Sequence, residues 1–136
     1  MLKTLLVDDF KEDGALLLDV LEREHFPITA ALWFYLDDEG IWRLVIVTPY
    51  VDKNGPLRTY MRIMELLDKL EPRFRLNINN ISVMSPKWQQ FRDVQRTVEN
   101  MLRLGIDLRD STFGEAYVYV WDGKPVESVT TERHRS

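Results

Sequence analysis

The strongest constraint on this chain lies between residues 28 and 49. "ITAALWFYL" and "IWRLVIVTP" are two runs of strand length, rich in β-branched and aromatic residues. Only Asp37-Asp38-Glu39-Gly40 separates them. A gap that short forces an antiparallel hairpin, with Gly40 free to take a positive φ. Neither run alternates cleanly between apolar and polar. Both faces of the hairpin are therefore expected to be at least partly covered by other elements.

The flanking segments supply the cover. Asp9-Phe10-Lys11-Glu12 has the spacing of a capping box, and Phe10, Leu17, Leu18 and Leu21 follow at helical intervals. A helix is expected from Asp9 to Glu24, with Leu2, Leu5 and Leu6 able to extend its stripe. Gly14 costs about 1 kcal/mol against alanine in a helix, which points to a close neighbour there. His25-Phe26-Pro27 should end this helix.

After the hairpin, Asn54-Gly55 signals a turn and Pro56 suits a first helical position. Leu57, Tyr60, Met61, Met64, Leu67 and Leu70 then form a wide helical stripe, closed by Pro72. A short strand is expected over Ile81–Met84. Ser85-Pro86 reads as N-cap and first turn of a third helix, whose narrow stripe is Trp88, Phe91, Val94, Val98 and Met101 or Leu102, ending at Gly105. Residues 106–115 carry no periodicity and read as a loop. "AYVYVW", Asp122-Gly123 and "KPVESVT" make a second hairpin, with Pro125 marking its last strand as an edge.

The order is helix, hairpin, helix, strand, helix, hairpin. It implies a single α+β domain over residues 1–130, a sandwich of a mixed, mostly antiparallel sheet of about five strands with about three helices. Residues 131–136 read as a disordered polar tail. At 136 residues and 45% hydrophobic content, the chain can bury a core without staples.

Composition removes several function classes. With no cysteine, a disulfide framework, a thiolate zinc site and a cysteine nucleophile are impossible. No run of 18 apolar residues occurs, so no membrane span is expected. The first residues begin like a signal peptide but turn acidic at Asp8 after too short an apolar run, and they read as part of the folded domain. A cytoplasmic protein is the simple reading. The two histidines, His25 and His134, lie in no metal-binding spacing, and no metal or cofactor is expected. Phosphate-binding glycine motifs and the G-x-S-x-G elbow are absent.

Net charge is −4, unevenly spread. Residues 1–40 hold three basic side chains against ten acidic, while 41–136 hold fifteen against twelve. That is too small a basic excess for a dedicated duplex binder, and nucleic acid is a disfavoured partner.

Two functional readings remain. The first is a domain without catalysis that works by protein–protein contact, as a homodimer or with another protein. Its candidate surface is the aromatic hairpin face, Trp33, Tyr35 and Trp42 with Arg43, together with Trp88, Arg92 and Arg96 on the third helix. Trp, Tyr and Arg are the residues enriched at contact hot spots. The second is an enzyme or nucleic-acid-processing protein whose site is assembled by folding. Its acids would be Asp37, Asp38, Glu39 and Asp52, with Arg43 and Arg58 binding an anion. The acids at 37–39 otherwise serve as the solvated tip of the hairpin.

Overall fold

The computed structural model describes residues 5–70, 76, 78–112 and 114–127. The elements are α1 (Asp8–Arg23), β1 (Ala30–Leu36), β2 (Ile41–Val47), α2 (Tyr50–Leu67), a 3-10 turn (Ile78–Asn80), β3 (Ile81–Met84), α3 (Gln89–Arg103), β4 (Ala116–Trp121) and β5 (Lys124–Pro125). This is the expected α+β arrangement, with an open five-stranded mixed sheet in the order β3-β2-β1-β4-β5. Among the described residues, only the β2–β3 pair is parallel. Pro72 and the tail from 131 lie outside the described residues.

The central hairpin divides the core in two. Residues alternate faces along a strand. Ala31, Trp33 and Tyr35 pair with Ile46, Leu44 and Trp42, and these six point toward α1 and α2. Ala30 and Leu32 pair with Val47 and Val45, and point toward α3. Leu17, Leu18 and Leu21 of α1 and Ile63 and Leu66 of α2 close the first layer; Phe91, Val94, Val98 and Met101 of α3 close the second. Both faces are covered, as the lack of alternation requires.

β4 adds a feature with no signature in the sequence. Its pairing with β1 slips between Ala31 and Leu32: Leu32 opposes Val118, while Ala31 opposes Val120. Tyr119 is the extra residue of a β-bulge: it keeps the face of Tyr117, and Val120 after it packs against the same cluster. Its ring turns toward α1. The Trp33 Nε1–H donates to the Tyr119 hydroxyl at 3.0 Å, and that hydroxyl donates to the Lys11 carbonyl at 2.6 Å. Strand, bulge and helix are thereby tied at one buried point. Gly14 sits against it, which answers the helical glycine: a Cβ there would lie 2.6 Å from the Tyr119 oxygen.

Several helix ends differ from expectation. α1 begins at Asp8, with Val7 as an extended N-cap and no side-chain capping bond, so Asp9 is inside the helix rather than at its cap. Leu5 is exposed and does not extend the stripe; Leu6 is buried. α3 begins at Gln89, not Pro86. The Ser85 hydroxyl instead accepts from the Lys87 N–H at 3.0 Å, a local turn that comes before the helix.

The C-termini of α1 and α3 share one solution. Phe26 N–H bonds the Leu21 carbonyl and His25 N–H the Glu22 carbonyl; Ile106 and Gly105 repeat this with Met101 and Leu102. Both are Schellman motifs, which need a left-handed residue. α3 supplies Gly105 at φ 74°, but α1 supplies His25 at φ 58°. A side chain in that region costs about 1 kcal/mol or more. His25→Gly is therefore expected to stabilise the domain by about 0.5–1 kcal/mol, read as a rise in Tm of about 3 °C. An unchanged or lower Tm would mean that the histidine side chain repays its strain.

Candidate functional site

The aromatic hairpin face is core. Trp33 is 0% exposed, and Tyr35 and Trp42 are each 8% exposed. Phe10 of α1 stacks on Trp33 at 5.7 Å with the rings 7° from parallel, and the Tyr35 and Trp42 rings lie 5.2 Å apart. The expected contact surface is corrected here: α1 and α2 already occupy the space a partner would need.

Arg43 projects from the opposite face of β2 and works within the sheet. Its Nε–H donates to the Ser82 hydroxyl at 2.6 Å and its Nη2 to the Ile81 carbonyl at 2.9 Å. Trp88 is half-buried and packs against both core clusters, sealing one end of the sandwich. Arg92 and Arg96 are exposed, and Arg96 pairs with Asp93 one turn earlier at 3.2 Å. Arg103 donates to Asn100 in the same way. The basic face of α3 is partly neutralised by its own acids and amides, as an ordinary solvated helix face would be.

Folding does not assemble the second constellation. Asp37, Asp38 and Glu39 are exposed at the hairpin tip, before the first residue of β2. Asp52 follows the other end of β2, and seven strand residues span roughly 20 Å. There Asp52 accepts from the buried Ser85 hydroxyl at 2.7 Å, fastening the start of α2 to the turn before α3. Arg58 lies exposed on α2. Among the described residues, no group of three His, Asp or Glu side chains could hold a metal ion.

A groove of about 970 Å³ runs between α1 and the β4–β5 edge. Leu16, Ile28, Val120 and Val126 line it, with Glu12, Asp19 and Glu22 along the α1 side. Arg109 enters from the loop after α3. It donates to the Val126 carbonyl at 2.9 Å and the Tyr117 hydroxyl at 3.1 Å. Its guanidinium lies 4.9 and 5.4 Å from the Tyr117 and Tyr119 ring centres, while its Nε is buried without a hydrogen-bond partner. These contacts make Arg109 a clamp across three chain segments. Burial pushes the Tyr119 hydroxyl well above the ordinary phenol range, against the opposing pull of its Trp33 hydrogen bond. It stays protonated at neutral pH and serves as a hydrogen-bonding post, not a base.

The feature that sequence reading missed is on α2. Gly55, at φ 79° and ψ 163°, breaks this helix, and Pro56 restarts it as the turn signal implied. The expected core stripe is then rotated. Thr59, Ile63 and Leu66 are buried, with Tyr60, Leu67 and Leu70 at their edge, while Leu57, Met61 and Met64 are 73%, 52% and 45% exposed. At 100° per residue, these three fall within an arc of about 60° and form a second apolar stripe facing water. The clue lay in the width of the pattern: Ile63 and Leu66 add a full second row to the six residues first assigned.

The sheet edges offer less. The β3 edge is capped where Val83 N–H bonds the Tyr60 hydroxyl at 3.1 Å, and the β4 edge is met by Leu108 through the Val118 N–H at 2.8 Å. Among the described residues, no helix is long and apolar enough to cross a membrane. Comparison with known proteins adds no relative to this description: no family model, no curated protein and no solved structure matches the chain.

Proposed function

We propose that this is a protein-interaction domain of the cytoplasm without chemistry of its own, and that the exposed face of α2 is its contact surface. The observation that carries this reading is the Leu57–Met61–Met64 stripe. Large apolar side chains side by side on a helix face are the usual mark of a surface that another protein covers. Methionine adds adaptability, since its unbranched side chain repacks against varied partners. The absence of cysteine supports the location, because nothing here depends on an oxidising compartment.

The hairpin acids, Asp52, Arg43 and Arg58 offer little to the enzymatic alternative. Each is exposed or engaged in a structural contact, and the hairpin acids and Asp52 lie beyond opposite ends of β2.

A photo-crosslinking amino acid at position 61 tests the contact surface in living cells. Irradiation is expected to give a discrete adduct from position 61 and none from position 38, which lies at the hairpin tip. Equal labelling from both positions, or none from 61, would remove α2 as the contact surface.

A further inference from the structure

The charges beside the α2 stripe carry a sharper conclusion, which rests on the reading of α2 as a contact surface. Arg58 and Glu65 are seven residues apart and share one edge of the helix, within about 20° of each other and about 80° round from the stripe. Arg58 is exposed, with no ion-pair partner among the described residues. Glu65 meets Arg62 at 3.1 Å but keeps a side chain 65% exposed. On the far side of the stripe, Tyr60 and Leu67 are already packed against the core. The contact face is thus apolar along its middle, core on one side, and charged on the other. That edge carries Arg58 at its N-terminal end and Glu65 two turns later, while Arg62 and Lys69 lie further round toward the core side, where both pair with Glu24 at the end of α1.

Such a pattern is complementary to itself when reversed. We infer that the α2 face takes a second copy of this chain, the two helices packing antiparallel about a two-fold axis at the level of Met61. A two-fold interface is the commonest form of self-association and pairs each patch with its own image. In that arrangement, Met61 meets Met61. Leu57 of one copy comes within one residue's rise, about 1.5 Å, of the level of Met64 of the other, and Arg58 comes equally close to the level of Glu65. Each charge pair occurs twice. Antiparallel packing also brings the two charged edges to the same side of the interface. A parallel pairing would instead set each charged edge against the Tyr60–Leu67 edge, and both pairs would be lost. The same logic of flanking charges sets orientation in paired helices generally.

Light scattering of the full chain over a concentration series, with three variants, tests this. The wild-type chain is expected to dimerise. R58E and E65R should each weaken the dimer about tenfold, because two attractions become two repulsions. The double variant R58E/E65R should return to within about threefold of wild type, since the swap restores both pairs with their signs exchanged. Thermal melts of all four proteins check that the exposed substitutions leave the fold intact. A dimer indifferent to the single swaps, or a double variant as weak as the singles, overturns the antiparallel register and leaves α2 as a contact surface. A wild-type chain that stays monomeric while position 61 crosslinks to a different protein overturns the second copy alone. Absence of both the dimer and the crosslink defeats the proposed function itself.

Discussion

Gly14→Ala is expected to destabilise the protein by about 2 kcal/mol, where helix propensity alone would give a gain of about 1 kcal/mol. The reversal follows from the bulge in β4. A Cβ on residue 14 would lie 2.6 Å from the Tyr119 oxygen and 3.0 Å from Trp33 Nε1. The far end of a side chain usually moves aside cheaply. This one is held by a buried hydrogen bond from Trp33 and a partly buried one to the Lys11 carbonyl, so moving it weakens both. Tyr119→Phe supplies the control. Alone it should cost about 1–3 kcal/mol, chiefly because the Trp33 N–H loses its acceptor. In that background the extra methyl finds the space the oxygen left. Gly14→Ala should then cost at least about 1 kcal/mol less than in the wild type. Urea denaturation of the four proteins gives the cycle directly. A stabilising Gly14→Ala would show that α1 does not approach the bulge this closely.

Trp33→Ala should have the largest effect of any single substitution, a loss of about 3–5 kcal/mol. Small domains have a total stability of about 5–15 kcal/mol, so the variant is expected to unfold partially near 37 °C. Trp33 is fully buried at the centre of the sheet, stacked by Phe10 and paired with Leu44 across the hairpin. Removing the indole leaves a cavity under α1 and takes away the donor that orients Tyr119. Trp33→Phe separates the two contributions. It keeps most of the ring volume and should cost about half as much, the remainder being the lost hydrogen bond and the smaller stack. A melting temperature within 3 °C of wild type for Trp33→Ala would contradict this role, since about 3 kcal/mol in a domain of this size moves Tm by roughly 10 °C.

The same residue shows where sequence reading succeeds and where it stops. That Trp33, Phe34 and Tyr35 must alternate between faces follows from strand geometry. Which face a second layer covers does not, because two sheets with identical strands can be covered differently. The tight connection at Asp37–Gly40 set the first hairpin, and Asp122–Gly123 set the second, with φ of 54° and 75° at its two turn residues. β3 falls where its β-branched residues put it. These are local decisions, taken within four to eight residues by turn chemistry and side-chain shape. The α1 cap and the start of α3 went the other way. Asp9 and Ser85 are competent caps, but neither serves as one in the folded chain, where Ser85 bonds Asp52 instead.

On α2 the division is clearest. Its sequence announced an amphipathic helix and the turn at Asn54-Gly55 that starts it. It could not announce which of two adjacent apolar rows would meet the sheet. That choice was made by the crossover from β2 to β3, whose parallel pairing sets the roll of the helix above Leu44, Ile46 and Ile81. Ile63 and Leu66 went inward, and Leu57, Met61 and Met64 were left in water. Likewise, the slip that makes Tyr119 a bulge appears only when β4 is laid against β1. Local chemistry therefore determined the elements, the two hairpins and the mixed α+β class. The core faces, the bulge and the exposed apolar row of α2 were decided by pairing between residues distant in the chain, because burial is a property of what lies opposite a side chain.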